Sequence, residues 1–203
     1  GTGEYGVSDT QTTSYKAEPE NQTFQFGDAT TSAYVRFSFK LPGTRPVKLK
    51  SLKLKGIKVG ARVDDTTLEF YGDTGGSPGT LMGTVTVPNA TWPTGSHAWF
   101  DNSLNSGATE IWAVPGVQYY CYVKPTGAIN AGTYYRLASN SALGYVDGQS
   151  PVWNGSAWVA TSPSGSPGVA GDILFEMTAE TSEPSFDLNG SAAHQRLAVP
   201  FVL

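Results

Sequence analysis

The chain consists of short stretches in which apolar and polar residues alternate, with turn residues between them. AYVRFSF (Ala33–Phe39) and DILFEM (Asp172–Met177) show the pattern clearly. A period of two residues is typical of a β-strand that buries one face, because successive side chains point to opposite sides. No window has the 3.6-residue period of an amphipathic helix. The sequence therefore predicts an all-β protein.

Turn-forming residues separate the alternating stretches along the chain. The 203 residues include 24 glycines and 13 prolines, and only 15% of them are charged. The spacing of the glycines is typical of an antiparallel β-sandwich, and Asn154-Gly155 in VWNGSAWV is the strongest hairpin signal. No apolar run is long enough to span a bilayer, so we expect no membrane partner. We predict one sandwich domain over residues 24–180, with an N-terminal arm (1–23) and a C-terminal tail (181–203).

The alternation also predicts which side chains fill the core. The apolar face of each strand should point inward, and shortening a side chain there should be costly. The predicted core residues are Phe37, Leu54, Phe70, Val85, Tyr119, Cys121, Val123, Ile173 and Phe175. In VKLKSLKLKGIKV (Val47–Val59) the alternation slips at Ser51–Leu52 and again at Gly56, which indicates bulges or short breaks.

The glycine-rich segment GDTGGSPGT (Gly72–Thr80) raises the question of a ligand-binding loop. A phosphate loop needs Lys and then Ser or Thr after its last glycine, followed by a helix, whereas a strand pattern follows Gly79. An EF-hand loop needs acidic residues at alternating positions, and only Asp73 fits. We interpret the segment as a connector between antiparallel strands. Asp64, Asp65 and Asp73 would share a cation only if their loops converge.

Catalytic and cofactor-binding motifs are absent from the sequence. The two histidines, His97 and His194, have no metal-ligand companions at suitable spacing, and the single cysteine, Cys121, lies on an apolar strand face. No serine-hydrolase elbow, zinc-protease motif or paired carboxylate motif occurs. We therefore expect a protein that is not an enzyme and uses no cofactor. A glycan-cleaving enzyme remains the catalytic alternative, because its two carboxylates can be distant in sequence.

Basic residues are concentrated in one part of the chain. Between Arg36 and Arg62 there are nine basic residues and no acidic residue, although the net charge of the chain is −4. The candidate interface residues on the basic face of this region are Lys48, Lys50, Lys53 and Lys55. Three interpretations stay open: a solvated strand edge, a contact with an acidic surface of a second copy, or a nucleic-acid contact. The acidic total and the lack of aromatic residues among the lysines argue against nucleic acid.

Aromatic residues provide the candidate site for carbohydrate. Tyr120 and Tyr122 point away from Cys121 on their strand, and Trp153 and Trp158 flank the predicted hairpin. Exposed aromatic rings can stack on the apolar faces of sugar rings. The alternative is that these side chains pack in the core or at a subunit interface, where aromatic residues are also abundant.

The order of the motifs resembles that of a known module. LEFYGDTGGSPGTLMGTVTVP is followed by HAWFDNSL, VPGVQYYCYVKPTGA, TYYRLASNS, VWNGSAWV and GDILFEM. This succession lies between Val47 and Met177, and it is similar to a jelly-roll module of bacteriophage virion proteins that also occurs in some bacterial extracellular proteins. The resemblance implies an antiparallel jelly-roll β-sandwich. Its motifs are mainly structural glycines and core aromatics, so it implies no catalytic residue.

The resemblance and the divided charge favour a non-enzymatic structural protein of a virion. We expect a capsid-decoration, tail or fibre-associated protein that acts through self-assembly, as a homo-oligomer in contact with other virion proteins. The alternative is an extracellular carbohydrate-binding or receptor-binding module, with a cell-surface glycan as its partner. Both hypotheses place the protein in the virion or outside the cell.

The C-terminal tail is the predicted assembly element. It ends in RLAVPFVL, in which four apolar residues share one strand face: Leu197, Val199, Phe201 and Leu203. Such a face is costly to expose to water. The tail could pack on its own sandwich. We favour an added strand on a neighbouring copy, because a completed sandwich leaves little room for another strand.

Overall fold

A computed structural model describes residues 10–16, 18–27, 34–104, 110–128, 132–141, 145, 152–153, 158–159 and 171–181. For 152–153 and 158–159 the description is limited to the backbone. These residues form fourteen strands and one 3-10 helix (Asn89–Thr91), without any α-helix. Accordingly, the described part of the chain contains no helix with the length and hydropathy of a membrane span. The all-β prediction is confirmed.

The fourteen strands belong to two antiparallel sheets. Sheet A contains β1 (Thr10–Tyr15), β2 (Gln22–Phe26), β4 (Val47–Val59), β7 (Ala98–Ser103), β8 (Trp112–Ala113), β10 (Tyr134–Asn140), β13 (Asp172–Ile173) and β14 (Phe175–Glu180). Sheet B contains β3 (Val35–Phe39), β5 (Thr66–Asp73), β6 (Pro78–Val87), β9 (Tyr119–Pro125), β11 (Val152–Trp153) and β12 (Trp158–Val159).

Strand β4 is the long central strand of sheet A. Its residues 51–54 pair with β7 and also with β14, so these two partners lie on opposite sides of it. On the side of β14, strand β10 pairs with the C-terminal end of β4. On the side of β7, strand β8 pairs with the N-terminal end of β4. Strands β1 and β2 form the edge beyond β14 and β10. In sheet B the order is β12-β11-β3-β9-β5-β6, so β9 lies between β3 and β5.

The two sheets pack against each other through one apolar core, which gives a sandwich-like arrangement. The ring centroids of Phe37 in sheet B and Phe175 in sheet A are 5.0 Å apart. Eight of the nine predicted core residues are buried: Phe37, Leu54, Phe70, Tyr119, Cys121, Val123, Ile173 and Phe175. The ninth, Val85, is only half-buried and packs against the core from β6, which is the last strand of sheet B.

The alternation of β4 is interrupted near Ser51, as the sequence indicates. Thr178 of β14 pairs with Ser51, and the next residue of β14 pairs with Leu49. Lys50 is therefore an extra residue on β4, which is a β-bulge. The bulge lets β4 keep its leucines on the inner face on both sides of the slip.

Gly56 explains the second slip in β4. An added Cβ at this position would lie 2.8 Å from the carbonyl oxygen of Arg136 and 2.9 Å from the ring of Trp92. Neither distance is possible for a real side chain, so only glycine allows β10 and Trp92 to approach β4 this closely. The strand continues through Gly56 without a break.

The glycine-rich segment after β5 is a hairpin connector, as predicted. Asp73 at the end of β5 pairs with Pro78 at the start of β6. Between them, Thr74 and Ser77 exchange backbone hydrogen bonds of 2.7 and 3.3 Å. The two central glycines have φ angles of +63° and +84°. Two successive positive φ angles are typical of the type I′ turn that joins antiparallel strands, and glycine adopts them without strain.

Residues 10–15 belong to the sandwich, although the sequence assigns them to the N-terminal arm. They form β1, which pairs over its whole length with β14. This strand is polar because it lies at the edge of sheet A, where only Tyr15 is buried. A strand of this kind lacks the apolar face on which the sequence prediction depends. Residues 1–9 lie outside the described residues.

Candidate functional site

The outer surface of sheet B carries a cluster of tyrosines and charged residues, which we call the tyrosine face. Strand β9 produces it by alternation, since the side chains that flank its buried residues Cys121 and Val123 point outward. Neighbouring positions of β3 and β5, and the residue before β3, complete it. The tyrosine face consists of Tyr34, Arg36, Glu69, Tyr71, Tyr120, Tyr122 and Lys124.

Strand register aligns these residues in rows across sheet B. Tyr122 of β9 pairs with Arg36 of β3 on one side and with Glu69 of β5 on the other. In the next row Tyr120 of β9 pairs with Tyr71 of β5. Directly paired residues on one face have Cβ atoms only about 5 Å apart, so their side chains meet. Three separate segments of the chain thus contribute to one surface.

Tyr122 lies at the centre of the aromatic cluster. Its ring centroid is 4.7 Å from that of Tyr71 and 6.0 Å from that of Tyr34. Nη1 of Arg36 donates a hydrogen bond of 3.4 Å to its hydroxyl oxygen. Tyr34, Tyr71 and Tyr122 are each partly exposed. The three rings therefore form one continuous aromatic surface that solvent can reach.

An ion pair lies beside these rings and joins β5 to β9. Nζ of Lys124 is 2.6 Å from Oε2 of Glu69, and the hydroxyl of Tyr71 donates a hydrogen bond of 2.7 Å to the same oxygen. Nζ of Lys124 is also 5.0 Å from the ring centroid of Tyr34 and 5.1 Å from that of Tyr122. These distances are within cation–π range, so the ammonium group is held in a fixed position against the rings.

Tyr120 connects the tyrosine face to the β5–β6 turn. Its hydroxyl donates a hydrogen bond of 2.9 Å to Oδ1 of Asp73, and Cζ of Arg36 lies 5.6 Å from its ring centroid. Burial, and then the bond to Asp73, raise the pKa of Tyr120 to about 12. Burial, and then the bond to Glu69, also raise the pKa of Tyr71 above its ordinary value. Both hydroxyls are therefore neutral donors at physiological pH.

Two of the four predicted carbohydrate-binding residues, Tyr120 and Tyr122, lie together on the tyrosine face, although Tyr120 is only 7% exposed. The other two, Trp153 and Trp158, are paired with each other in the antiparallel pair β11–β12, as expected for a hairpin in VWNGSAWV, and the Asn154-Gly155 turn itself lies outside the described residues. Strand β11 pairs with β3, so this hairpin continues sheet B next to the tyrosine face. The side chains of both tryptophans lie outside the described residues.

The sequence reasoning missed most of the tyrosine face. The residues it did not select are Tyr34, Arg36, Glu69, Tyr71 and Lys124. A signal was present, because each occupies a polar position next to a buried one in an alternating strand. What the sequence does not contain is the order of strands in the sheet, which brings β3 and β5 to the two sides of β9.

The three aspartates that were candidate cation ligands do not converge. Asp64 and Asp65 precede β5, whereas Asp73 is its last residue, so the two ends are about 25 Å apart at the usual rise of a strand. The carboxylate of Asp64 accepts a 3.0 Å hydrogen bond from Arg62, and that of Asp65 accepts one of 2.7 Å from the backbone of Asn89. The three carboxylates therefore have separate hydrogen-bond partners.

The lysines of the basic strand are paired with acidic residues of the same chain. Nζ of Lys48 lies 2.8 Å from Glu110, and Nζ of Lys50 lies 2.6 Å from Glu180. Lys53 lies between two further acids, Glu176 at 3.4 Å and Asp101 at 4.0 Å, and Lys55 contacts both Glu18 and Glu20. The basic face predicted from the sequence is thus an alternating array of charges.

The interpretation of these lysines as a protected strand edge is wrong, because β4 has partners on both sides. Its outward side chains face acidic residues that neighbouring strands supply. The acids come from segments that are distant in sequence, so the run between Arg36 and Arg62 looked unbalanced. Any second copy that binds these lysines has to compete with carboxylates already in place.

The remaining candidates are Cys121, the two histidines and the C-terminal tail. Within the described ranges, no group of three or more His, Cys, Asp or Glu residues could hold a metal ion. Cys121 is fully buried, and burial raises the pKa of its thiol well above the ordinary value, which disfavours the reactive thiolate. The tail residues Leu197, Val199, Phe201 and Leu203 lie outside the described residues, as does His194.

The two carboxylates next to the tyrosine rings belong to Glu69 and Asp73, which are four residues apart on β5, or about 13 Å between their Cα atoms along a strand. Both carboxylates accept hydrogen bonds from tyrosine hydroxyls. The arrangement is suited to binding a ligand through ring faces, hydroxyls and fixed charges.

No protein-family model matches the chain, and no curated protein sequence matches it.

Proposed function

We propose that the protein is a non-enzymatic module that binds carbohydrate through the tyrosine face. One observation carries the proposal: Tyr34, Tyr71 and Tyr122 form a continuous, partly exposed aromatic surface, with fixed charged groups at its margin. The opposite side of the same strands is buried in the core. An aromatic surface on the outside of a sheet is not needed to complete that core.

The chemistry of the surface matches that of a sugar. A pyranose ring has apolar C–H faces, which pack on aromatic rings, and hydroxyls at its rim, which need both donors and acceptors. The tyrosine face supplies donors from Arg36 and Lys124 and an acceptor from Glu69, and the carboxylate of Asp73 beside it is a second acceptor. Because these groups already hold one another in place, little side-chain entropy is lost when a ligand binds.

The shape of the site favours a chain of sugars over one small sugar. The rings and charged groups extend over three adjacent strands, and the β11–β12 hairpin adds further backbone beside β3. An extended surface of this kind provides several weak contacts in sequence along a polymer. The ligand class is therefore a polysaccharide of a cell surface or cell wall, and the place of action is outside the cell.

Binding to a glycan array, followed by calorimetry on the polysaccharides that bind, tests the proposal. We expect saturable binding that weakens at least about tenfold, or ~1.4 kcal/mol, in Tyr122→Ala and in Tyr71→Ala. The matched control is Trp99→Ala, which removes an aromatic ring that is 36% exposed on the outer face of sheet A. Trp153→Ala and Trp158→Ala then show whether the hairpin extends the site.

Two results would contradict the proposal. One is the absence of saturable binding to any polysaccharide by folded protein. The other is binding that all tyrosine variants retain, since the ligand would then contact another surface. Thermal unfolding of each variant separates a loss of binding from a loss of folding.

We propose as a second candidate that the protein is a structural component of a virion, in a decoration, tail or fibre-associated position. The order of motifs from Val47 to Met177, with its resemblance to jelly-roll modules of phage virion proteins, supports this candidate. It includes a jelly-roll connection of the strands, self-assembly into a homo-oligomer and contacts with other virion proteins. The two candidates are compatible in a receptor-binding part of a particle.

Solution mass and particle composition test the second candidate. We expect an oligomer at micromolar concentration and the presence of the protein in purified particles from its source. If the lysines of β4 contact a second copy, raising the salt concentration should weaken association, because exposed charges are screened within about 10 Å at 0.1 M salt. A strict monomer that occurs in no particle would contradict the virion role.

A further inference from the structure

An exposed apolar patch lies where sheet A ends. Trp112 of β8 is 39% exposed, and Val114 and Val117 in the turn that follows are 49% and 40% exposed. We call these three residues the β8 patch. Single exposed apolar residues are normal, but three within six positions of one segment expose apolar area whose burial would be favourable.

The C-terminal segment of the chain leaves sheet A next to this patch. Glu180, the last residue of β14, pairs with Lys48 of β4, and Lys48 pairs in turn with Trp112 of β8. Glu180 and Trp112 therefore lie in one row, two strand spacings or about 10 Å apart. Thr181, the last described residue of this region, is buried. The chain thus continues from a fixed point close to the β8 patch.

The sequence that follows has a suitable apolar face. Residues 182–203 lie outside the described residues, and they end in RLAVPFVL, where Leu197, Val199, Phe201 and Leu203 alternate with other residues. The fourteen residues 182–195, which connect Thr181 to this segment, can extend up to about 50 Å. That reach is several times the separation between Thr181 and the patch, so the connection imposes no restriction.

We propose that residues 196–203 bind the β8 patch of their own chain, in place of the neighbouring copy that the sequence alone favours, because the chain leaves sheet A beside this patch. Both surfaces are apolar, so exposing either of them to water is unfavourable, and contact between them removes apolar area from water. A connection of fourteen residues within one chain gives an effective concentration in the millimolar range, which exceeds the concentration of a second copy in a micromolar solution. The tail of the same chain therefore occupies the patch in preference to the tail of a second copy. This inference does not depend on carbohydrate binding by the tyrosine face.

Cross-linking of the full-length chain tests the inference. Val117→Cys combined with Val199→Cys is treated with a short bismaleimide, and monomers that contain the cross-link are identified by gel mobility and peptide mapping. The matched control combines Val199→Cys with Val63→Cys, because Val63 is 85% exposed and follows the other end of β4. Native Cys121 is fully buried and does not compete. We expect at least about tenfold more cross-linked monomer from the Val117 pair.

Hydrogen exchange provides a second measurement that needs no cysteine. In Leu197→Ser/Phe201→Ser, amides of residues 110–117 should exchange faster than in the wild type, while those of β9 remain unchanged. Equal cross-linking in both pairs, together with unchanged exchange, would overturn the inference. Cross-linked dimers that form when the two single variants are mixed, and that increase with protein concentration, would also overturn it and would assign the patch to a second copy.

Discussion

The hydroxyl of Tyr120 on β9 donates a hydrogen bond of 2.9 Å to Oδ1 of Asp73 at the end of β5. The other oxygen of Asp73 accepts a hydrogen bond of 3.2 Å from the backbone of Gly76 in the β5–β6 turn. One carboxylate thus connects β9, inside sheet B, to the β5–β6 hairpin at the edge of the sheet. The same two bonds give Asp73 a structural role in the glycine-rich segment.

We predict that Asp73→Asn lowers the pKa of Tyr120 from about 12. The variant removes the carboxylate that disfavours the phenolate form of Tyr120. Burial, which is the larger cause of the raised pKa, remains, so the pKa should stay above 10. Because the folded pKa exceeds the unfolded value, the contribution of Tyr120 to stability is complete below pH 10 and is lost as the pH rises toward 12. Ultraviolet titration of the folded protein, with Tyr120→Phe to identify the signal, measures the change.

Acid should weaken the charged array on sheet A. Lys55 lowers the pKa of Glu20, and Lys16 and Lys53 lower the pKa of Glu176, in both cases through hydrogen bonds to the carboxylate. These acids therefore stabilise the fold above their ordinary value of 4.5, and the contribution is lost as the pH falls through their lowered pKa.

We predict that Lys55→Gln lowers the free energy of unfolding at pH 7 by up to about 1 kcal/mol, because its ion pairs are partly exposed. The difference from the wild type should shrink in urea titrations at pH 3, where more of the Glu20 carboxylate is protonated. Lys55→Arg, which keeps the charge, is the matched control. An equal effect of both substitutions at both pH values would mean that packing of the side chain, and not its charge, matters.

Gly56 should not tolerate a side chain. We predict that Gly56→Ala destabilises the fold by about 1–3 kcal/mol, since the new methyl group would lie 2.8 Å from a backbone oxygen of Arg136. Gly72→Ala is the control, because an added Cβ there meets only the sulfur of Met82 at 3.9 Å. Comparable unfolding midpoints in urea for both variants would contradict the close approach of β10 to β4.

The sequence was sufficient to predict local features, but it could not predict which strands become neighbours. Alternation located the inward faces around Phe37 and Phe175, and glycine and bulge signals located the irregularities of β4. The partners of its lysines could not be predicted, because Lys53 meets Glu176 and Asp101 only through the strand order. The tyrosine face was missed for the same reason. Which strands become adjacent depends on packing between distant segments, and a period of two does not contain that information.

The core itself gives the last prediction, which distinguishes a central position from an edge position. Phe175→Ala should lower the free energy of unfolding by about 3–5 kcal/mol, because the ring is 1% exposed and lies between the two sheets, 5.0 Å from Phe37. Val85→Ala should cost less than about 1.5 kcal/mol, since this side chain is half-buried on the edge strand β6. Urea unfolding at one pH measures both variants. If Val85→Ala proves as costly as Phe175→Ala, β6 must be covered by further chain, and the outer boundary of sheet B would have to be drawn beyond it.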